Sequence, residues 1–302
     1  MFLEKNDTVG IIAPSFFIEK QKNFEEGVRY LTNKGFKIKY APSVKKRFFS
    51  TTAPAETRAA EINQMFADKE VKAVICSDGG CNAIELLQYL DYDLIKKNPK
   101  IFSGFSDITH LLLAIHSKTG IQTIHGMDII NGFGNTTNPC YERNLDFFFK
   151  LLAAKSELVY EPFNEWKIMR KGKGQGVIVG GWLDALHNLS GTSYFPTYDK
   201  IVLIWDAIDT ELNKINMMLH SLKLKGVFEK TAAMVIGKPT NCVEKEYYDC
   251  FYPLEKVISD ATAGYSFPII FNADFGHSDS NLSFIIGKEA VVNTDNCLLK
   301  ML

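Results

Sequence analysis

The sequence predicts an α/β protein in two domains: an N-terminal parallel-sheet α/β domain, then a smaller, β-rich C-terminal α+β domain. Short apolar runs alternate with helix-spaced segments up to about residue 150, and beyond that point the rhythm breaks. At 302 residues the chain is also longer than one core comfortably holds.

Each element has a local reason. Residues 9–13 form an apolar run stopped by Pro14, as suits a strand buried on both faces. Over 20–34, Phe24, Val28 and Leu31 recur at helical spacing and Gly35 supplies the stop. Residues 36–40 alternate like a strand, 55–67 read as a helix, and 71–76 read as a strand running into Asp78-Gly79-Gly80. A helix is expected over 82–89. The strand around Phe102 ends at Gly104-Phe-Ser106-Asp107, and 108–116 continues as a helix. This strand–helix rhythm implies parallel strands with helices on both faces. The stretch 167–175 is basic, glycine-rich and aperiodic, so 166–175 reads as a linker between domains 1–165 and 176–302. In the second domain strands are expected at 176–179, 200–205, 233–236, 268–271 and 290–292, with fewer helices.

Composition narrows the function. Hydrophobic residues at 46% and charged residues at 23% describe a soluble globular chain, and a net charge of −1 gives no field for nucleic acid or an anionic membrane. Neither is an expected partner. Cys76, Cys81, Cys140, Cys242, Cys250 and Cys297 form no Cys-x-x-Cys pair and no zinc spacing, so reduced thiols are expected and no metal. The opening residues lack a basic segment followed by an apolar one, and no run reaches the roughly 18 apolar residues of a membrane span. A cytoplasmic location is expected. No phosphate loop appears, so no cofactor is implied.

Ligands of open parallel sheets sit at the carboxyl ends of strands. Ser106 stands at such an end, where a helix N-terminus offers N–H groups to an oxyanion. Gly-x-Ser-Asp is not the Gly-x-Ser-x-Gly of α/β-hydrolases, and a Ser-Asp pair there also serves as an ordinary helix cap. Gly79-Gly80 lets the backbone approach a ligand, or simply turns the chain. A serine nucleophile needs a base. Of six histidines, His110 lies on the same helix as Ser106 and reads as a surface or packing residue. His277, in Asp274-Phe-Gly-His277, follows an apolar strand and opens a polar loop.

Gly104-Phe-Ser-Asp-Ile-Thr109, preceded by Pro99-Lys100, resembles the nucleophile segment of the LD-carboxypeptidases, a family that includes the microcin self-immunity peptidases. Ala13-Pro14-Ser15, Arg58-Ala-Ala, His125-Gly126, Gly180-Gly181, Gly191-Thr192, Phe275-Gly276-His277 and Gly287 extend the likeness over most of the chain. The resemblance implies a Ser–His–Glu triad drawn from both domains. Ser106 attacks the scissile carbonyl, His277 takes and returns the proton, and the N–H groups of Asp107 and of Gly79 or Gly80 form the oxyanion hole. It implies a small peptide as partner: a murein tetrapeptide cut at an L–D bond, or, in the microcin branch, a peptidyl or aminoacyl nucleotide. A homodimer is a candidate assembly for the same reason.

The chain departs from the family where the glutamate belongs. It reads Ile201-Val-Leu-Ile-Trp205-Asp206, with Trp205 in the glutamate position. Strand alternation puts Asp206 on the opposite face from Trp205, so Asp206 substitutes only if the strand ends or bulges there. Asp209 and Glu211 are the other stand-ins. Trp182 and Asp78, where the family carries asparagine and arginine, are expected to bind substrate, and Trp182 and Trp205 together offer stacking area. Three functions follow: a serine peptidase on an LD-peptide, a binding protein that keeps the fold without turnover, and a hydrolase of a nucleotide-linked amide.

Overall fold

A computed structural model describes residues 3–154, 156–243 and 253–302. Cys250 and the first two residues of the N-terminal reading lie outside them. In chain order the elements are β1 (Thr8–Ile12), α1 (Gln21–Asn33), β2 (Lys37–Tyr40), α2 (Ala55–Ala67), β3 (Val71–Cys76), α3 (Tyr92–Lys97), β4 (Ile101–Gly104), α4 (Thr109–Thr119), β5 (Thr123–His125) and α5 (Tyr141–Ala153). There follow β6 (Leu158–Tyr160), β7 (Lys167–Arg170), β8 (Lys173–Trp182), α6 (Leu183–Leu189), β9 (Ile201–Asp206), α7 (Leu212–Leu224), α8 (Val227–Lys230) and β10 (Thr231–Gly237). The chain closes with α9 (Leu254–Ala261), β11 (Ile269–Ala273), β12 (Phe284–Ile286), β13 (Glu289–Asn293) and β14 (Leu298–Met301). The expected helix over 82–89 is a 3-10 helix, Ala83–Tyr89.

The chain divides into two compact units. The first is Met1–Ala154 with Leu282–Gly287. Its sheet runs β12-β5-β4-β3-β1-β2, parallel from β5 to β2, with β12 antiparallel on β5. Val9, Ile11, Val74, Ile75, Phe102 and Ile124 are fully buried, which is why these strands read as unbroken apolar runs. Because β4, β3 and β1 are neighbours, the loops leaving their carboxyl ends converge on one edge.

The second unit, Lys155–Asn281 with Lys288–Leu302, carries an eight-stranded sheet in the order β6-β14-β13-β8-β9-β10-β11-β7. Its centre, β8 to β11, is parallel, and the flanking strands are antiparallel.

Two boundaries differ from the sequence reading. Residues 166–175 are not a linker: they hold β7, paired antiparallel with β11, and the start of β8. Gly174 serves close approach, since a Cβ there would overlap the Ala232 carbonyl oxygen. Residues 282–287 leave the C-terminal span and return to the first unit, where Phe284 stacks on His125 at 4.7 Å. Among the described residues no helix is long and apolar enough to cross a membrane, and no three His, Cys, Asp or Glu are grouped to hold a metal ion.

Candidate active site

In the first unit Ser106 opens a 3-10 turn, Ser106–Ile108, between β4 and α4, with φ +61°. A left-handed serine stores about 1–2 kcal/mol of strain, held by its surroundings. Gly79 makes the turn possible, because a Cβ there would stand 2.8 Å from the Ser106 Cβ. Gly79 is not a free oxyanion donor, however: its N–H donates to Asp78 Oδ1 at 2.8 Å. The Gly80 N–H has no partner among the described residues, and its φ of +140° suits glycine. The Asp107 N–H lies at the start of the turn, where no intrahelical acceptor exists.

The Asp107 carboxylate is fully buried. Its Oδ2 accepts from Ser15 Oγ at 2.5 Å and from the Ala83 N–H at 2.8 Å, and its Oδ1 lies 3.0 Å from His110 Nδ1. Burial pushes this carboxyl upward, but the bonds from His110, Ser15 and Ala83 outweigh it and hold the group below the usual carboxylate range. His110 Nδ1 faces two acceptors, the Asp107 carbonyl at 2.9 Å and Asp107 Oδ1, so it carries the proton and anchors the helix. Of the surface and packing roles expected of it, burial selects packing.

Asp78 is half-buried beside a second acid. Asn131 Nδ2 donates to Asp78 Oδ1 at 2.7 Å and to Asp128 Oδ2 at 2.9 Å. Burial raises Asp78, and burial together with the Asp78 charge pushes Asp128 up to about 7.

In the second unit β9 ends at Asp206, whose side chain is 2% exposed. Asp206 Oδ2 accepts from His277 Nδ1 at 2.5 Å and from the His277 backbone N–H at 3.2 Å. A carboxylate only accepts, so Nδ1 bears the hydrogen and Nε2 keeps the basic lone pair. Local sequence explains the fit. Gly276, at φ +95°, lies so close to the Asp206 carboxylate that any Cβ would collide with it, and a Cβ on Gly237 would stand 3.0 Å from the Asp206 Cβ. Buried Asp274 accepts from the Phe163 N–H at 2.7 Å and from Trp166 Nε1 at 2.9 Å, and Asn281 Oδ1 accepts from the Gly276 N–H at 3.1 Å.

Of the carboxylates weighed at the end of this strand, Asp206 is the one bonded to His277, because the strand stops there and the histidine loop folds onto it. Glu211 occupies the N-cap position of α7, and Asp209 is exposed and accepts from Asn241 at 3.0 Å. Trp205 offers no stacking surface: it is 1% exposed and faces the side of the strand away from Asp206. Trp182 ends β8 in register with Asp206 and is half-buried, so an indole stands beside the acid. Sequence reasoning quoted Asp274 without assigning it a role, and it missed Asn281, Ser15 as a partner of Asp107, and Asp128. An isolated aspartate at the end of an apolar strand, immediately before Phe-Gly-His, was the available signal for Asp274.

Residues 9–126 match the LD-carboxypeptidase N-terminal domain and residues 175–292 the LD-carboxypeptidase C-terminal domain. The "Probable murein peptide carboxypeptidase" of Bacillus subtilis (strain 168) is 32% identical over 97% of this chain and 90% of its own length. The microcin C7 self-immunity protein MccF of Escherichia coli is 29% identical over 97% of this chain and 92% of its own. A solved structure of MccF in complex with glutamyl sulfamoyl guanosine superposes with a TM-score of 0.91 at 25% identity, covering 99% of this chain and 96% of that one.

Proposed function

We propose, from the premise that this chain belongs to the LD-carboxypeptidase family, that it is a serine hydrolase of an L–D amide bond in a murein peptide, with Asp206 in place of the family glutamate. The observation that carries the reading is the Asp206–His277 Nδ1 hydrogen bond of 2.5 Å, which leaves the imidazole in the tautomer a general base requires.

In this reading Ser106 Oγ bonds to the scissile carbonyl carbon as His277 Nε2 takes the serine proton. The carbonyl electron pair moves onto oxygen, facing the N–H groups of Gly80 and Asp107. Collapse breaks the C–N bond, His277 returns the proton to the leaving amine, and water repeats the sequence to free Ser106. Asp206 stabilises the imidazolium in both halves. A second substrate class is favoured by one observation. Trp182, beside Asp206, presents a ring for stacking, which suits the base of an aminoacyl or peptidyl nucleotide. The ligand of the MccF structure, glutamyl sulfamoyl guanosine, likewise joins an amino acid to a nucleoside.

The test is hydrolysis of murein tetrapeptide and of an aminoacyl sulfamoyl adenylate by the wild-type chain and by Ser106→Ala. Wild type is expected to release D-alanine or the amino acid, and Ser106→Ala to fall to background. Equal turnover by the two would remove Ser106 as nucleophile. A chain that binds either compound without hydrolysis would be the binding protein weighed from the sequence.

A further inference from the structure

Three loops meet beneath Ser106, and one carboxylate joins them. Asp107 belongs to the loop after β4. Its Oδ2 receives the Ser15 hydroxyl, from the loop after β1, at 2.5 Å and the Ala83 N–H, from the turn after β3, at 2.8 Å. Ser15 Oγ in turn accepts the Asn82 N–H at 3.2 Å. Two successive amides just past the glycine turn, of Ala83 and Asn82, are thus tied to Asp107, one directly and one through Ser15. The far side of the turn is pinned separately, by the Phe16 N–H on the Gly79 carbonyl at 3.2 Å. Buried Arg58 adds bonds from α2 to the carbonyls of Pro14 and Asn82. Glycine permits this packing: a Cβ on Gly80 would overlap Ser15 Oγ, and one on Gly79 would press on Ser106.

An apolar side chain would fill this space without the desolvation cost of a buried carboxylate. What the carboxylate adds is direction, since it accepts one donor from each neighbouring loop. We propose that the Asp107 carboxylate, with the Ser15 hydroxyl, is a positioning brace that sets the Gly79–Gly80 turn against Ser106, and so acts on the oxyanion-forming step and not on ligand affinity. The proposal rests on the reading of Ser106 as nucleophile. Asp107 then has two separable roles, its amide as an oxyanion donor and its side chain as the brace, and a side-chain substitution tests the second while keeping the first.

The experiment is covalent labelling of the full chain with a fluorophosphonate, followed by mass spectrometry at Ser106. The serine oxygen bonds to phosphorus, fluoride leaves, His277 takes the serine proton, and the phosphoryl oxygen faces the hole. The maximal inactivation rate and the half-saturating probe concentration are measured separately. Loss of one oxyanion donor costs about 10²–10³-fold and a displacement of about 1 Å about 10²-fold. Asp107→Asn is expected to slow the maximal rate about 100-fold and Ser15→Ala about 10-fold, each with half-saturation within about threefold of wild type. A role in stability alone would lower the melting temperature and leave the rate per folded molecule unchanged, and that result overturns the brace. Ser15→Ala decides the matter if Asp107→Asn does not fold. Failure of wild type itself to label Ser106 would overturn the nucleophile reading and the brace with it, whereas labelled wild type with equally fast variants overturns the brace alone.

Discussion

The Ser106 turn and the His277 loop hold their side chains in opposite ways. Ser106 is held indirectly: its backbone is strained into φ +61°, and the carboxylate next to it in sequence turns away to bind Ser15, Ala83 and His110. His277 is held directly, with Asp206 on both its ring Nδ1 and its backbone N–H. On the proposed mechanism the first arrangement fixes a direction of attack and an amide, and the second fixes a tautomer and stabilises a developing positive charge. A buried acid can therefore serve either as scaffold or as electrostatic partner, depending on whether its lone pairs face the backbone of neighbouring loops or the reacting ring.

The sharpest way to break this contrast is Asp206→Asn. Removing the orienting acid of a serine triad costs about 10⁴-fold, and a similar fall in kcat on the better of the two substrates is expected, with the chain still folded. Next is Trp205→Glu. If the missing family carboxylate were a defect at that position, the change would raise turnover. Because Trp205 is buried on the face away from Asp206, the expected outcome is instead a loss of about 3 kcal/mol or more in chemical denaturation with no gain in rate. Gly276→Ala comes third. The positive φ and the collision with Asp206 should cost about 1–3 kcal/mol and lower activity, whereas Gly264→Ala, also at positive φ but with open space at its Cβ, should leave activity at the wild-type level.

The smallest effect concerns the acid pair beside the nucleophile turn. Asp128 is pushed up to about 7 by burial and by Asp78, so the folded state binds its proton more tightly than the unfolded chain does. Its contribution to stability is therefore complete below about pH 4 and fades as pH rises toward about 7. Denaturation between pH 4 and 8 should show wild type losing stability that Asp128→Asn does not lose. A parallel decline in both would remove Asp128 as the titrating group.

Much of this was readable in the sequence. The unbroken apolar runs of β1, β3 and β4 and the serine that ends the last of them were clear, because burial on both faces leaves a plain signature. The acid was harder. Alternation places Asp206 opposite Trp205, and only the position where β9 stops, together with a loop arriving from some 70 residues later, decides which of the neighbouring carboxylates meets the imidazole. The 166–175 segment misled because glycine permits both flexibility and close strand packing, and the residue type does not say which. β12 was invisible as part of the first unit, since three apolar residues carry too little period to announce a partner strand. The Asp78 carboxylate lies one residue in sequence from the Gly79 N–H that donates to it, but a side chain's choice of local donor follows from loop geometry and not from order along the chain.

The most direct test compares Ser106 labelling by a fluorophosphonate in wild type, Asp206→Asn and Glu211→Gln. Wild type and Glu211→Gln should label at the same rate, and Asp206→Asn at least about 100-fold more slowly. Equal labelling of Asp206→Asn and wild type, or a loss confined to Glu211→Gln, would contradict the assignment of Asp206 as the acid that orients His277.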